Sequence, residues 1–346
     1  MSKVDNVAGP QTRPTGPVTL DEAFDLKTPP RGTAMLPDFC RGRLRTGEDY
    51  VPATALLDAL RVALELRQPL LLTGDPGSGK TRLADFVAYR LQAGKPLTFR
   101  VKSTSTARDL FYAYDAIGRF NVRDGASNPL SFITYGPLGK AILFANPRSK
   151  VQSILPGTAE YDAHTEARVS VVLIDEIDKA PRDFPNDFLG ELDEMRFSIP
   201  EIGHNAEIVA GDEFLPVVIV TSNSERDLPD AFLRRCVYYH IPFPDAGTLQ
   251  KIVLARLKGL VPLDPGYVQE AVAVFVSIHE RTDVLVKPPG TSELIEWLVA
   301  MQRLGGPTLQ RFDLRDSVVQ RTLGTLFKTP GDLEIGWKLM QHAAGG

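Results

Sequence analysis

The sequence predicts an α/β fold: a parallel five-stranded sheet followed by a small all-helical domain. Three observations carry this. Five short apolar runs, "PLLLTG", "LTFRV", "SVVLIDE", "LPVVIVTS" and "CVYYHI", are separated by long polar or helical stretches. Each has the length of a strand, and alternation with helices is the pattern of a parallel sheet with crossover connections. A glycine-rich loop directly follows the first run, and beyond residue 244 only helical patterns continue.

In chain order, residues 1–38 are polar and carry Pro10, Pro14, Pro17, Pro29, Pro30 and Pro37. Such a segment buries too little apolar surface to order itself, so a flexible arm is expected. "ATALLDALRVALELRQ" has apolar residues at helical spacing and predicts an amphipathic helix. Residues 39–243 are then expected to form the α/β domain. The connection between the second and third runs, near 103–168, exceeds what a plain crossover needs and must hold an insertion. Residues 244–346 read as helices broken by Gly and Pro: "LQKIVLARLKGL", "GYVQEAVAVFVSIHE", "TSELIEWLVAMQRL" and "DSVVQRTLGTLFK".

Composition excludes several classes. The chain has 346 residues, 43% hydrophobic and 24% charged, with a formal net charge of -4. This acidic balance argues against a constitutive grip on nucleic acid or an anionic membrane. The two cysteines, Cys40 and Cys236, form no C-x-x-C pair, so neither a disulfide framework nor a structural zinc site is expected. No signal-like apolar segment opens the chain and no apolar run is long enough to span a bilayer, so a cytoplasmic protein is expected. His164, His204, His240, His279 and His342 are scattered without metal-ligand spacing. "RGRLR", residues 41–45, is a short basic cluster that fits a solvated linker.

The strongest motif is Gly74-Asp75-Pro76-Gly77-Ser78-Gly79-Lys80-Thr81, which fits G-x-x-x-x-G-K-[ST] between an apolar strand and an amphipathic helix. Glycines let the backbone curl so that its N–H groups face inward, and the helix N-terminus adds a positive dipole end for phosphates. Lys80 is a point charge for the β- and γ-phosphates of ATP, and the Thr81 hydroxyl is a ligand for Mg²⁺. The third run ends in Asp175 and Glu176. Side chains alternate along a strand, so these acids face different ways: Asp175 toward the metal, Glu176 toward an attacking water. "VVIVTSN" ends in Thr221, Ser222 and Asn223, at the strand end where open α/β sheets bind ligands. An amide there serves the attacking water or a turn. "DLPDAFLRRC" reads as a short helix ending in Arg234 and Arg235. These complement a helix dipole or reach a neighbour's transferring phosphoryl group. Tyr50, in "GEDYVP", precedes the first helix where it can line an adenine pocket.

Together these residues resemble an AAA+ ATPase, a P-loop NTPase, and within that class the MoxR type, over roughly residues 45 to 340. "GDPGSGKT" resembles Walker A and "LIDEIDKAP" Walker B; "NDFLGELDE" resembles the helix that follows. Asn223 falls at the sensor 1 position. Arg235 aligns best with the arginine finger, with Arg234 beside it as the other candidate. "YGPLGKAILFA" resembles the family's Gly-Pro segment, and "MRFSIPEIGHNAEIVAGDEF" fits the hairpin near 196–215 expected before sensor 1. The resemblance implies a homo-oligomeric ring, commonly a hexamer, with ATP and Mg²⁺ at subunit interfaces and a lid formed by the helical domain. The sensor 2 position carries Leu294 instead of arginine, and Lys287 is the candidate stand-in. "KPPGTSEL" is similar to the branch associated with von Willebrand factor A domain proteins, which implies a client of that kind. The expected function is a ring ATPase that remodels, matures or loads a partner protein. An ATP-gated scaffold in a signalling or defence complex and a McrB-like nucleic-acid translocase are the alternatives.

Overall fold

The computed structural model describes residues 47–121, 128–203, 207–224, 226–258, 263–281, 284–305 and 311–344. The expected arm at 1–38, Cys40, the basic cluster at 41–45 and His204 lie outside them.

All five expected strands form. They are β1 (Leu70–Gly74), β2 (Leu97–Arg100), β5 (Val171–Asp175), β8 (Val217–Thr221) and β9 (Val237–Ile241). Every pairing is parallel, and the spatial order is β2-β5-β8-β1-β9. The alternation of side chains sorts each strand onto two faces. Leu70, Leu72, Val171, Leu173 and Ile219 join one hydrophobic cluster; Leu71, Val172, Ile174, Val218 and Val220 join another. Helix α1 (Thr54–Leu66) packs on β1 and β9, and α2 (Lys80–Arg90) on β1, β5 and β8. All of β1 and β5 is buried, whereas β2 and β9 alternate between half-buried and exposed residues. The edge positions of β2 and β9 explain their exposed residues.

The long connection contains an antiparallel pair, β3 (Tyr112–Tyr114) and β4 (Ile133–Tyr135), bracketing helix α3 (Ala116–Asn121). Helix α4 (Pro137–Phe144) follows Gly136 and packs on β2 and β5. The rest holds two single turns, α5 (Arg148–Val151) and α6 (Ala159–Asp162). Here Arg148 bonds the Tyr161 carbonyl at 2.6 Å, and the buried His164 ring bonds the Asn146 carbonyl at 2.9 Å. "NDFLGELDE" forms parts of two short helices, α7 (Phe184–Asp187) and α8 (Leu189–Glu194). The hairpin is the antiparallel pair β6 (Arg196–Ser198) and β7 (Glu207–Val209). Helix α9 is only Asp230–Leu233, so the two arginines follow the helix instead of ending it.

Beyond β9 come α10 (Ala246–Leu257), α11 (Pro265–His279), α12 (Thr291–Gly305), α13 (Ser317–Thr322) and α14 (Pro330–Ala344). Asp245, Asp264 and Asp316 cap three of these by accepting first-turn amides. The helices close on their own core around Tyr267, Phe275, Trp297 and Met301, where the Trp297 indole donates to Thr322 Oγ1 at 3.0 Å. Helix α14, absent from the periodic runs read in the sequence, contributes Met340 to this core.

Candidate active site

The site assembles at the carboxyl ends of β1, β5 and β8. In the loop after β1, Gly74, Gly77 and Gly79 have φ of 141°, 80° and 94°, values that side chains rarely tolerate. The curl turns Lys80 back on the loop, where its ammonium donates to the carbonyls of Gly74 at 2.7 Å and Asp75 at 2.9 Å. Burial pushes the Lys80 pKa below its ordinary value, a shift opposed by Asp75, Asp178, Asp175 and Glu176. Ser78 Oγ is buried with no hydrogen-bond partner among the described residues.

Asp175 ends β5 and is buried. Its Oδ1 accepts the Thr81 hydroxyl at 3.0 Å and the Thr221 hydroxyl at 2.7 Å. Thr221 in turn accepts the Glu176 amide at 3.0 Å. Glu176 has a left-handed backbone, φ 61°, a conformation a non-glycine residue holds only where its surroundings impose it. Its carboxylate lies 2.7 Å from the Lys179 ammonium. Asn223 is half-buried; its backbone amide donates to Asp178 at 3.2 Å, and its side chain has no partner among the described residues. The loop, Lys80, Thr81, Asp175 and Glu176 therefore converge, and Asn223 is joined to them by its backbone bond to Asp178.

A cavity beside the loop is lined by Tyr50, Gly79, Tyr239, Pro244, Ile252 and Thr291, among others. Tyr50 packs its ring 5.6 Å from Phe86, and burial raises its pKa. A Cβ on Gly79 would meet this ring at 3.4 Å. The cavity's far wall comes from the segment linking β9 to α10, whose part no sequence motif announced.

The arginines lie apart from these groups. Arg235 is tied within its own chain, Nε to Asp193 Oδ2 at 2.7 Å and a guanidinium nitrogen to the Ala231 carbonyl at 3.0 Å. Arg234 is exposed, and its side chain has no partner among the described residues. Lys287 is also exposed. Its amide and that of Val286 donate to the buried Asp332 carboxylate at 3.1 and 2.8 Å.

The donor set fits ATP with Mg²⁺. A glycine loop with an ammonium suits phosphates, and Thr81 and Asp175 present adjacent oxygens to a hard cation. Among the described residues no cluster of three or more His, Cys, Asp or Glu could hold a metal alone. A single carboxylate with a hydroxyl is the usual protein share where phosphates complete the shell.

Parallel order, phosphate loop and paired acids make this an α/β P-loop NTPase fold. Residues 69–236 match the AAA domain of the dynein-related subfamily, which supports an AAA+ ATPase. A search of curated proteins found no match. No described helix is long and apolar enough to cross a membrane.

Proposed function

We propose that the chain hydrolyses ATP as one subunit of a ring, and that turnover remodels, matures or loads a client protein. The observation that carries this is the network Thr81–Asp175–Thr221–Glu176 beside Lys80. It ties Thr81, Asp175 and the backbone of Glu176 together, which supports a metal-ligand pair next to a candidate base. Lys80 and the loop amides hold the phosphates, and Thr81 with Asp175 holds Mg²⁺. The metal, when bound, neutralises charge developing on the phosphate oxygens. Glu176 leaves Lys179 to take a proton from water, and Asn223 orients that water. Arg235 or Arg234 reaches a neighbour's γ-phosphate, and Lys287 is the lid's candidate cation.

Ring assembly is supported by the placement of the arginines away from their own loop. A MoxR-type role with a von Willebrand factor A client rests on the motif resemblance alone. Two apolar side chains on α3, Ile117 and Phe120, are 76% and 89% exposed, which suits contact with another protein. The deciding experiment is ATPase rate per subunit against protein concentration, for wild type and Arg235→Ala. A rate that climbs with concentration in wild type but stays flat in a variant that still binds ATP supports a shared site. A constant rate in a monomer, retained by the variant, refutes it.

One observation favours an ATP-gated scaffold instead: the Lys179–Glu176 ion pair holds the candidate base. Tight ATP binding with turnover near zero at every concentration would select that reading.

A further inference from the structure

We propose that the N-terminal end of α12 is a second phosphate-binding element of the nucleotide cavity, with the Thr291 hydroxyl and the first-turn amides as its donors. The inference rests on the ATP-binding reading above and specifies how the helical domain takes part in it.

Contact comes first. The phosphate loop and the start of α12 touch backbone to backbone. A Cβ on Gly290 would lie 2.7 Å from the Pro76 carbonyl oxygen, and one on Gly77 would lie 3.2 Å from Ser292 Oγ. Glycine on each side permits this approach. The helix end therefore sits against the loop itself.

The second observation is the uncapped helix. Gly290 occupies the position before α12 and has no side chain to offer. The amides of Thr291, Ser292 and Glu293 have no acceptor among the described residues. The Glu293 carboxylate folds back onto the Gly290 amide at 3.1 Å, outside the helix, and leaves those three donors open. A helix of 15 residues presents a full dipole at this end.

A third observation points to a ligand. Thr291 is 5% exposed, lines the cavity, and its hydroxyl has no hydrogen-bond partner among the described residues. A buried hydroxyl without a partner is costly unless something else satisfies it. Donors without acceptors, at the positive end of a helix, match a phosphate oxygen better than a neutral ring. Leu294, one turn along, is fully buried in the helical core and offers nothing polar to the cavity. The start of α12 thus reaches the nucleotide through a neutral hydroxyl and backbone amides.

The test compares Thr291→Val with wild type in the full-length chain, measuring affinity for ATP, ADP and adenosine. Losing one hydrogen bond to a charged group should weaken ATP and ADP by about 10-fold and leave adenosine unchanged. Thr291→Ser should bind like wild type. Because the hydroxyl has no partner among the described residues, nucleotide-free Thr291→Val should melt at or above the wild-type temperature. Unchanged ATP affinity overturns the proposal. So does an equal loss for adenosine, which would put the hydroxyl on the ribose or base. A variant that unfolds, or melts well below wild type, overturns it too, because the hydroxyl then holds the protein and not the ligand. Wild type that binds neither ATP nor ADP would instead sink the nucleotide reading itself.

Discussion

Thr221, at the end of β8, donates its hydroxyl proton to the Asp175 carboxylate at the end of β5 over 2.7 Å. The same oxygen accepts the Glu176 amide, so one side chain braces both acids. It is a positioning residue. Thr221→Val keeps the shape and removes both bonds. We expect kcat to fall about 10- to 100-fold, the usual effect of losing a partner that orients a metal ligand. Thr221→Ser should restore most of the rate. Steady-state kinetics at varied Mg²⁺ checks this: a raised Mg²⁺ requirement points to Asp175, and an unchanged rate would deny the brace any role.

Glu176→Gln removes the candidate base without changing volume. ATPase activity should fall by about 10²- to 10⁴-fold, with ATP affinity retained. Single-turnover measurement alongside binding separates the two. Parallel loss of binding would mean that Glu176 holds the loop and does not act on water.

Arg235 is engaged by Asp193, a pair whose side chains are 42% and 44% exposed. Such a surface pair is worth about 0–1 kcal/mol, so a neighbour's phosphate can displace it. Asp193→Asn should leave thermal stability nearly unchanged and leave the concentration-dependent ATPase at or above wild type. A loss as deep as that of Arg235→Ala would show that Asp193 holds the arginine in its working position.

His164 is buried in the insertion, and burial lowers its pKa below the ordinary histidine value, with Arg168 and Arg148 acting the same way. The unfolded chain therefore takes up the proton first as pH falls. This group's contribution to stability is present above about pH 6.5 and is lost progressively below it. Melting temperature should drop on acidification from pH 7 to 5, and His164→Gln should flatten that dependence. Identical slopes in the two proteins would rule His164 out as the cause.

Much of this was legible in the sequence because its signals are local. The apolar runs placed all five strands, and the glycine loop with Lys80 and Thr81 announced itself by spacing. Asp175 and Glu176 were readable as a pair, though not the left-handed turn that separates them. What stayed hidden depends on contacts between distant segments. Thr221 looked like one of three polar residues ending a strand; its role appears only when β8 lies beside β5. Tyr239 and Pro244 line a cavity that Thr291 completes from some fifty residues away, and no motif links them. Asp193 gave no hint of Arg235. Helix α9 came out shorter than its amphipathic pattern implied, leaving the arginines on the turn beyond it.

The two parts of the chain keep separate hydrophobic interiors. Trp297, Tyr267 and Phe275 sit in one, the sheet residues in others, and among the described residues the cores share no buried residue. Each part therefore buries apolar surface of its own. A ligand held by both would bind only when both are folded, and its binding free energy would then weld them into one calorimetric transition. The shape of the heat-capacity trace, one peak or two as nucleotide is titrated in, would therefore report the coupling between the parts directly.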